Sequence, residues 1–199
     1  MDSAARRSIL KVRLLKTVYV VEIEVSSKTF KPTVPRIHIV GRRNAGKTTL
    51  VCELVRDLSD RGLRVATIKH THHQHELDTP GKDSWKHRNA GAVGVGILSP
   101  HLMAAFVPSE RSDDSATGYA QLSEMFSDCD LLLVEGDLHS DGTKIEVWRT
   151  EVAEPPYAQA DVSILAVVSD ASVDVQQDVW PRSDVATIVD RILGVIDVR

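Results

Sequence analysis

Residues 41–48, Gly41-Arg42-Arg43-Asn44-Ala45-Gly46-Lys47-Thr48, have the spacing GxxxxGK(S/T), and the chemistry open to that pattern is the clamping of a polyphosphate. In such a loop the backbone N–H groups of Asn44, Ala45, Gly46, Lys47, Thr48 and Thr49 turn inward around the phosphates. Gly41 and Gly46 permit the tight path, and the start of the following helix adds a positive dipole end. The Lys47 ammonium then reaches the β- and γ-phosphates. The Thr48 hydroxyl completes the shell of a Mg²⁺ ion, which keeps most of its waters and takes few protein ligands.

A site of this kind needs an acid at the carboxyl end of a neighbouring buried strand, where it can hold a water of the metal shell. Glu135 follows Leu131-Leu132-Leu133-Val134 directly and has that position. Asp130 opens the same run and lies about five residues away, at roughly 3.3 Å each, on the wrong rim of the sheet. Lys47, Thr48 and Glu135 are therefore the catalytic candidates, with Thr48 and Glu135 as the metal pair. A third constellation runs from Lys69 to Ser84, where His70, His72, His73 and His75 are four of the eight histidines. Neutral imidazoles so close together can bind Zn²⁺, Ni²⁺ or Cu²⁺, although no cysteine is near to complete a site. Lys69, Asp78, Lys82, Asp83 and Arg88 offer instead a polar loop contacting nucleotide or a second substrate, or simply a solvated loop.

The elements that must position these residues are legible in the periodicity. Ile37 to Val40 is an apolar run before the loop, and Leu50, Leu54 and Leu58, with Val51 and Val55 beside them, place one helix stripe against a sheet. Gly62 ends that helix. Leu63 to Lys69 is a second strand, giving a strand, helix, strand unit whose expected form is a right-handed parallel crossover. Asp83 or Ser84 is the expected cap of a short helix stopping at Gly91. Ala92–Leu98 and Leu102–Val107 read as a hairpin, and Tyr119, Leu122 and Phe126 restore helical spacing after the cap candidates Asp113, Asp114 and Ser115. Leu131–Val134 reads as a strand buried on both faces and Lys144–Thr150 as an edge or half-exposed strand. Ser163–Val168 is a further buried strand, and Ser183 is the expected cap of a final helix carrying Val185, Ile188, Val189, Ile192 and Leu193.

Composition limits the alternatives. With 199 residues, 42% hydrophobic, 26% charged and a net charge of −4, the chain is an ordinary globular α/β protein, not a general nucleic-acid or anionic-membrane binder. Cys52 and Cys129 are the only cysteines and are expected to be small core residues. No apolar stretch approaches the roughly 18 residues of a membrane span, and the N-terminus lacks a signal peptide's apolar core, so a cytoplasmic location is expected. Residues 1–36 carry eight Lys and Arg against three Asp and Glu. Residues 1–35 thus form a basic extension, strand-rich from Ile9 to Val25 and closed by Pro32 and Pro35, either extra sheet or a docking arm. Residues 36–199 form the main domain.

Three separated segments resemble the molybdopterin-guanine dinucleotide biosynthesis protein B (MobB) family of phosphate-loop GTPases: GRRNAGKTTL, then RGLRVATIKHTHHQHELDTPGKDSWKHRNAGA, then DLLLVEG followed by KIEV. KHTHH followed by DTPGKDS is the most diagnostic part. The resemblance implies a doubly wound sheet; with the elements above, the expected fold is an α/β phosphate-loop NTPase, a mostly parallel sheet with helices on both faces and the antiparallel hairpin as an extension. The resemblance also implies GTP with Mg²⁺, slow hydrolysis, a homodimer, and a partner guanylyltransferase acting on the molybdenum cofactor. By position, Gly41 and Asn44 to Thr49 bind phosphates, and Thr48 and Glu135 serve the metal shell. The chain departs from the family at Arg42-Arg43, where small residues are common, and at Asp137-Leu138, where an aromatic and Lys are common. Arg42 lies where related dimeric NTPases place a lysine that reaches the other subunit's nucleotide. No Asn-Lys-x-Asp guanine motif is present; Ser169-Asp170 has a family counterpart at the base-binding rim.

The leading expectation is a GTP-binding accessory protein that hydrolyses GTP slowly and assists conversion of molybdopterin cofactor to its guanine dinucleotide form. A nucleotide-gated adaptor that needs no hydrolysis and a histidine-rich metallochaperone GTPase are the alternatives. A kinase ranks below both, for want of a lid with clustered arginines.

Overall fold

The computed structural model describes residues 10–15, 18–23, 34–71, 76–107 and 115–196. Contacts divide the chain into two units, Met1–Thr33 and Val34–Arg199. In the first, Leu10–Leu15 (β1) and Val18–Ile23 (β2) pair antiparallel, with Leu10 opposite Ile23 and Leu15 opposite Val18.

The second unit begins with Arg36–Val40 (β3), Lys47–Asp60 (α1), Val65–Lys69 (β4) and Asp83–Asn89 (α2). Val95–Leu98 (β5), Met103–Phe106 (β6), Ser115–Met125 (α3) and Leu131–Glu135 (β7) follow. Thr143–Val147 (β8), a 3-10 turn at Tyr157–Gln159, Ile164–Val168 (β9), Asp178–Trp180 (β10) and Val185–Val195 (α4) complete it. Six strands make a parallel sheet in the order β10-β9-β8-β3-β7-β4, while β5 and β6 form a separate antiparallel hairpin. From β3 the chain winds first towards β4, with β7 later filling the place between them, and then the other way through β8, β9 and β10. The direction changes at β3. Crevices at such switch points, at the carboxyl ends of the strands, are where open α/β sheets hold ligands.

Alternation along β3 and β7 separates the two faces. Ile37, Ile39, Leu131 and Leu133 join Leu50, Leu54 and Leu58 of α1 and Ile188, Val189 and Ile192 of α4 in one core. Each fully buried leucine or isoleucine there contributes about 1.5–3 kcal/mol relative to leaving it exposed. The other face is covered in part by Tyr119 of α3, whose ring meets the His38 ring edge-on at 5.4 Å. A second apolar cluster on that side joins Val40, Ala158, Ile164 and Val167. Helices thus cover both faces.

Several local expectations need correcting. The strand read as an edge over Lys144–Thr150 is central, between β3 and β9. Its polar alternation misleads because Lys144 and Glu146 are buried with internal partners. Lys144 Nζ donates to Ser140 O at 3.0 Å, and Glu146 accepts the Tyr157 and Ala158 backbone N–H groups at 2.8 Å each. Burial outweighs those two bonds and pushes the Glu146 carboxyl above its usual range. Cys52 is exposed and Cys129 half-buried, because Cys52 lies around the helix from the Leu50 stripe. Asp184, not Ser183, caps α4, its carboxylate accepting Thr187 N at 3.0 Å. Ser183 bonds Asp170 instead. Helix α2 has Lys82 at its N-cap without a side-chain bond. Strand β10, at three residues, is too short to carry a sequence period. Asp113 and Asp114 lie outside the described residues.

His38, on β3, is fully buried. Its Nδ1–H donates to Gly136 O at 3.2 Å, while Nε2 accepts from Arg36 Nε at 2.9 Å and from Ser140 Oγ at 3.0 Å. Burial, with the nearby Arg36 charge, lowers its pKa to about 4 even though the Gly136 bond favours the charged form. Folded His38 therefore stays neutral where an unfolded histidine, near 6.5, has protonated. Its contribution is complete above that value and is lost as pH falls towards 4, about 3 kcal/mol in all at roughly 1.4 kcal/mol per pH unit. Urea titrations between about pH 7.5 and 5 should show about 2 kcal/mol of this loss, and His38→Gln should flatten most of it. A slope unchanged by that substitution would assign the effect elsewhere.

Candidate functional site

The loop between β3 and α1 is built by backbone geometry that its glycines supply. Gly41 has φ 140° and a Cβ there would lie 2.4 Å from Val147 O, so the loop runs tightly over β8. Gly46 sits in the left-handed region at the N-cap of α1, and Asn44 has φ 62°. Left-handed residues interleaved with ordinary ones turn successive N–H groups towards one concavity, and α1 adds its N-terminal partial charge. Lys47 folds back over this loop, its ammonium donating to Gly41 O at 2.9 Å and Arg42 O at 2.8 Å. Burial lowers its pKa, nearby Glu135 opposes that shift, and Lys69 adds to it.

Thr48 and Glu135 meet. Thr48 Oγ1 donates to Glu135 Oε1 at 2.8 Å, because β7 pairs with β3 so that Glu135 stands opposite Ile39, just before the loop. Lys69 Nζ lies 3.4 Å from the same oxygen. Asp130 is at the opposite rim, its carboxylate accepting Arg64 N at 2.7 Å. A hydroxyl and a carboxylate oxygen in contact beside a phosphate loop form a hard, oxygen-only donor pair, which suits Mg²⁺.

Behind Glu135 the chain turns through Gly136 and buried Asp137, which has φ 62°. Tyr119 Oη donates to Asp137 Oδ2 at 2.7 Å, and burial with this bond raises the Tyr119 pKa. His70 N donates to Glu135 O at 3.0 Å, and His70 Nε2 is 4.0 Å from Asp137 Oδ2. The unusual Asp137 is thereby a buried anchor between β4, β7 and α3. The rest of the Lys69–Ser84 block folds on itself. Asp78 Oδ1 accepts from Thr79 N and Ser84 Oγ, Arg88 pairs with Glu76 at 2.6 Å, and Asp83 pairs with Lys86. Lys69 alone of the five polar residues singled out there has a partner at the phosphate-loop rim among the contacts described. His72, His73 and His75 lie outside the described residues, among which no group of three or more His, Cys, Asp or Glu could hold a metal.

A cleft of about 510 Å³ continues from the loop across the ends of β8 and β9, lined by Ala45, Gly46, Thr49, Trp148, Asp170 and Arg182 among others. Ligand sites commonly have about this volume. Ser169, also lining it, is buried, and Asp170 Oδ1 accepts from Ser183 N and Oγ at 2.8 and 2.9 Å, which hold its carboxyl below the usual range. Arg182, unmarked by any motif, pairs with Glu53 of α1 at 2.6 Å and ties the two sides of the cleft together. Arg42 is engaged within its own chain, its guanidinium 3.8 Å from the centre of the Tyr157 ring and Nε donating to Pro155 O at 3.4 Å. Among the described residues no helix is long and apolar enough to cross a membrane.

Residues 36–170 match the family model for molybdopterin guanine dinucleotide synthesis protein B. The chain is similar to the molybdopterin-guanine dinucleotide biosynthesis adapter protein of Escherichia coli, 30% identical over 164 residues, which cover 82% of this chain and 94% of that one. The adapter protein of the same description from Haemophilus influenzae is 31% identical over 80% of this chain and 88% of its own length. A crystal structure of molybdopterin-guanine biosynthesis protein B superposes with a TM-score of 0.62 at 30% identity, covering 81% of this chain and 99% of that one.

Gly41→Ala combines a left-handed backbone conformation with a backbone oxygen that has nowhere to go. It should destabilise the protein by about 3 kcal/mol, read as a lowered denaturation midpoint at unchanged slope. A loss below about 0.5 kcal/mol would mean that the loop can lift off β8 freely.

Proposed function

Because the chain belongs to the molybdopterin guanine dinucleotide synthesis protein B family, we propose that it is an adapter of molybdopterin-guanine dinucleotide biosynthesis that holds Mg²⁺ and GTP at residues 41–49 and hydrolyses the nucleotide slowly. The observation that carries this reading is the contact of Thr48 Oγ1 with Glu135 Oε1 at the mouth of the phosphate loop. Gly41 and the N–H groups of Asn44 to Thr49 hold the phosphates. Lys47, which now spends its protons on two loop carbonyls, turns them to the β- and γ-phosphate oxygens. When Mg²⁺ is bound, Thr48 and Glu135 would be the residues that hold it, the hydroxyl as a direct oxygen donor and the carboxylate as an acceptor for one of its waters. The ion, when bound, neutralises charge on the β- and γ-oxygens. Lys47 and the loop amides stabilise the same charge, without a residue assigned as a base, and slow turnover follows from clamping alone.

The nucleoside lies along the cleft, with the ionised Asp170 as an acceptor for the N–H donors of a guanine edge, donors that adenine does not match. A second reading keeps the same site and makes hydrolysis incidental, the bound nucleotide gating docking to the guanylyltransferase that acts on the molybdenum cofactor. The adapter description of the relatives favours it. A cytoplasmic place and a homodimer belong to the same proposal. For the dimer, the hairpin β5–β6 offers an apolar surface in which Ile97, Leu98, Leu102 and Met103 are exposed.

Calorimetry with Mg²⁺ and GTP tests the core of the reading: micromolar binding is expected, with ATP weaker, and Lys47→Ala should lower affinity for GTP at least about 100-fold. No binding by the natural chain, or none lost in Lys47→Ala, rejects it. Partner capture compared with GTP, GDP and no nucleotide separates gating from turnover. Leu98→Glu with Met103→Glu should shift the sedimenting species from dimer to monomer; an unchanged dimer would move the interface off the hairpin.

A further inference from the structure

Lys69 ends β4 and stands in register with Glu135 of β7. Its ammonium is 3.4 Å from Glu135 Oε1, the oxygen that Thr48 Oγ1 also engages at 2.8 Å. It is near enough to Lys47 to depress that residue's pKa. Two ammonium groups from different elements thus flank one carboxylate at the phosphate rim. About two thirds of the Lys69 side chain is exposed (68%), whereas Glu135 is 15% exposed. An ion pair so open to water contributes little to stability, and the lysine has rotamer freedom to leave it.

We propose that Lys69 is a γ-phosphate contact: in the nucleotide-free protein its ammonium rests on Glu135, and it moves to the terminal phosphate when Mg²⁺ and a nucleoside triphosphate bind. The inference rests on the Mg²⁺–nucleotide reading of residues 41–49 and Glu135. Electrostatics supplies the direction of movement. A divalent ion held by Thr48, with Glu135 accepting from one of its waters, would repel the single positive charge beside it, and a terminal phosphate carrying between one and two negative charges gives that charge a new partner. A diphosphate places no group at the γ position, so Lys69 gains no phosphate partner there. Lys69 therefore distinguishes triphosphate from diphosphate, a task that Lys47, which serves both β- and γ-oxygens, performs less well. The residue that moves is also the root of the Lys69–Ser84 block. Its neighbour His70 is tied through N–H to Glu135 O at 3.0 Å. Loss and recovery of the γ-phosphate are felt first where that block begins.

Calorimetric titration of the full chain with a non-hydrolysable Mg²⁺–GTP analogue and with Mg²⁺–GDP reads this directly. Lys69→Met should weaken the GTP analogue at least about tenfold and leave GDP within about twofold, and Lys69→Arg should recover most of the loss. Should Lys69→Met fail to fold, Lys69→Gln carries the same comparison. Equal weakening of both ligands, or of neither, overturns the assignment of Lys69 alone. If the natural chain binds neither ligand, the Mg²⁺–nucleotide reading itself fails and the role of Lys69 falls with it.

Discussion

Parallel pairing of β3 with β7 sets Ile37, His38 and Ile39 opposite Leu133, Val134 and Glu135, and the rest of the candidate site depends on that register. Strand β3 must end where the phosphate loop begins, and β7 must end one residue beside it, for a hydroxyl on the first turn of α1 to meet a carboxylate from another part of the chain. A slip by one residue would turn Glu135 away from α1 and put Val134 in its place. The same slip would move Leu131 and Leu133 off the α1 core, so the apolar packing that stabilises the sheet also holds the polar contact in place. The pairing of β4 with β7 extends the arrangement by one strand and brings Lys69 to the same carboxylate.

The two faces of the sheet do different work. On the α1 and α4 side the core is apolar, as in a helix stripe laid on strands. On the other side the sheet buries His38, Lys144 and Glu146, and each is satisfied from the connections between strands: Gly136 and Ser140 for His38, Ser140 for Lys144, Tyr157 and Ala158 for Glu146. Buried polar groups are costly unless bonded, so these loops have few alternative positions. Tyr157 in turn carries the Arg42 guanidinium. Rigidity under the rim is thereby passed to both the phosphate loop and the Asp137 turn.

Much of this was readable from residue types. The Gly41–Thr48 loop is local, eight residues that form one contiguous motif. Leu50, Leu54 and Leu58 announce their helix because period and burial agree. Glu135 could be placed because a four-residue apolar run too short for a helix must be a strand, and its end must be a rim. Lys144 to Val147 misled for the converse reason: alternation normally means that one face is wet, and here the polar members are buried with partners 4 to 12 residues away. Cys52 misled because apolar neighbours in sequence are not neighbours around a helix. Arg182 and β10 gave no signal, since a single arginine and a three-residue strand carry no period.

The sequence by itself determined the glycine-bearing loop, the helix behind it, the family and the order of every described element of the second unit except the short β10, because each of these rests on short-range periodicity or on a contiguous motif. Tertiary structure alone decided that β7 lies between β3 and β4, that Lys69, Thr48 and Glu135 share one oxygen, and that Arg42 stacks on Tyr157. Strand order and register are set by long-range burial, which joins residues far apart in the chain, as the 87 positions between Thr48 and Glu135 illustrate. No local pattern encodes such a distance.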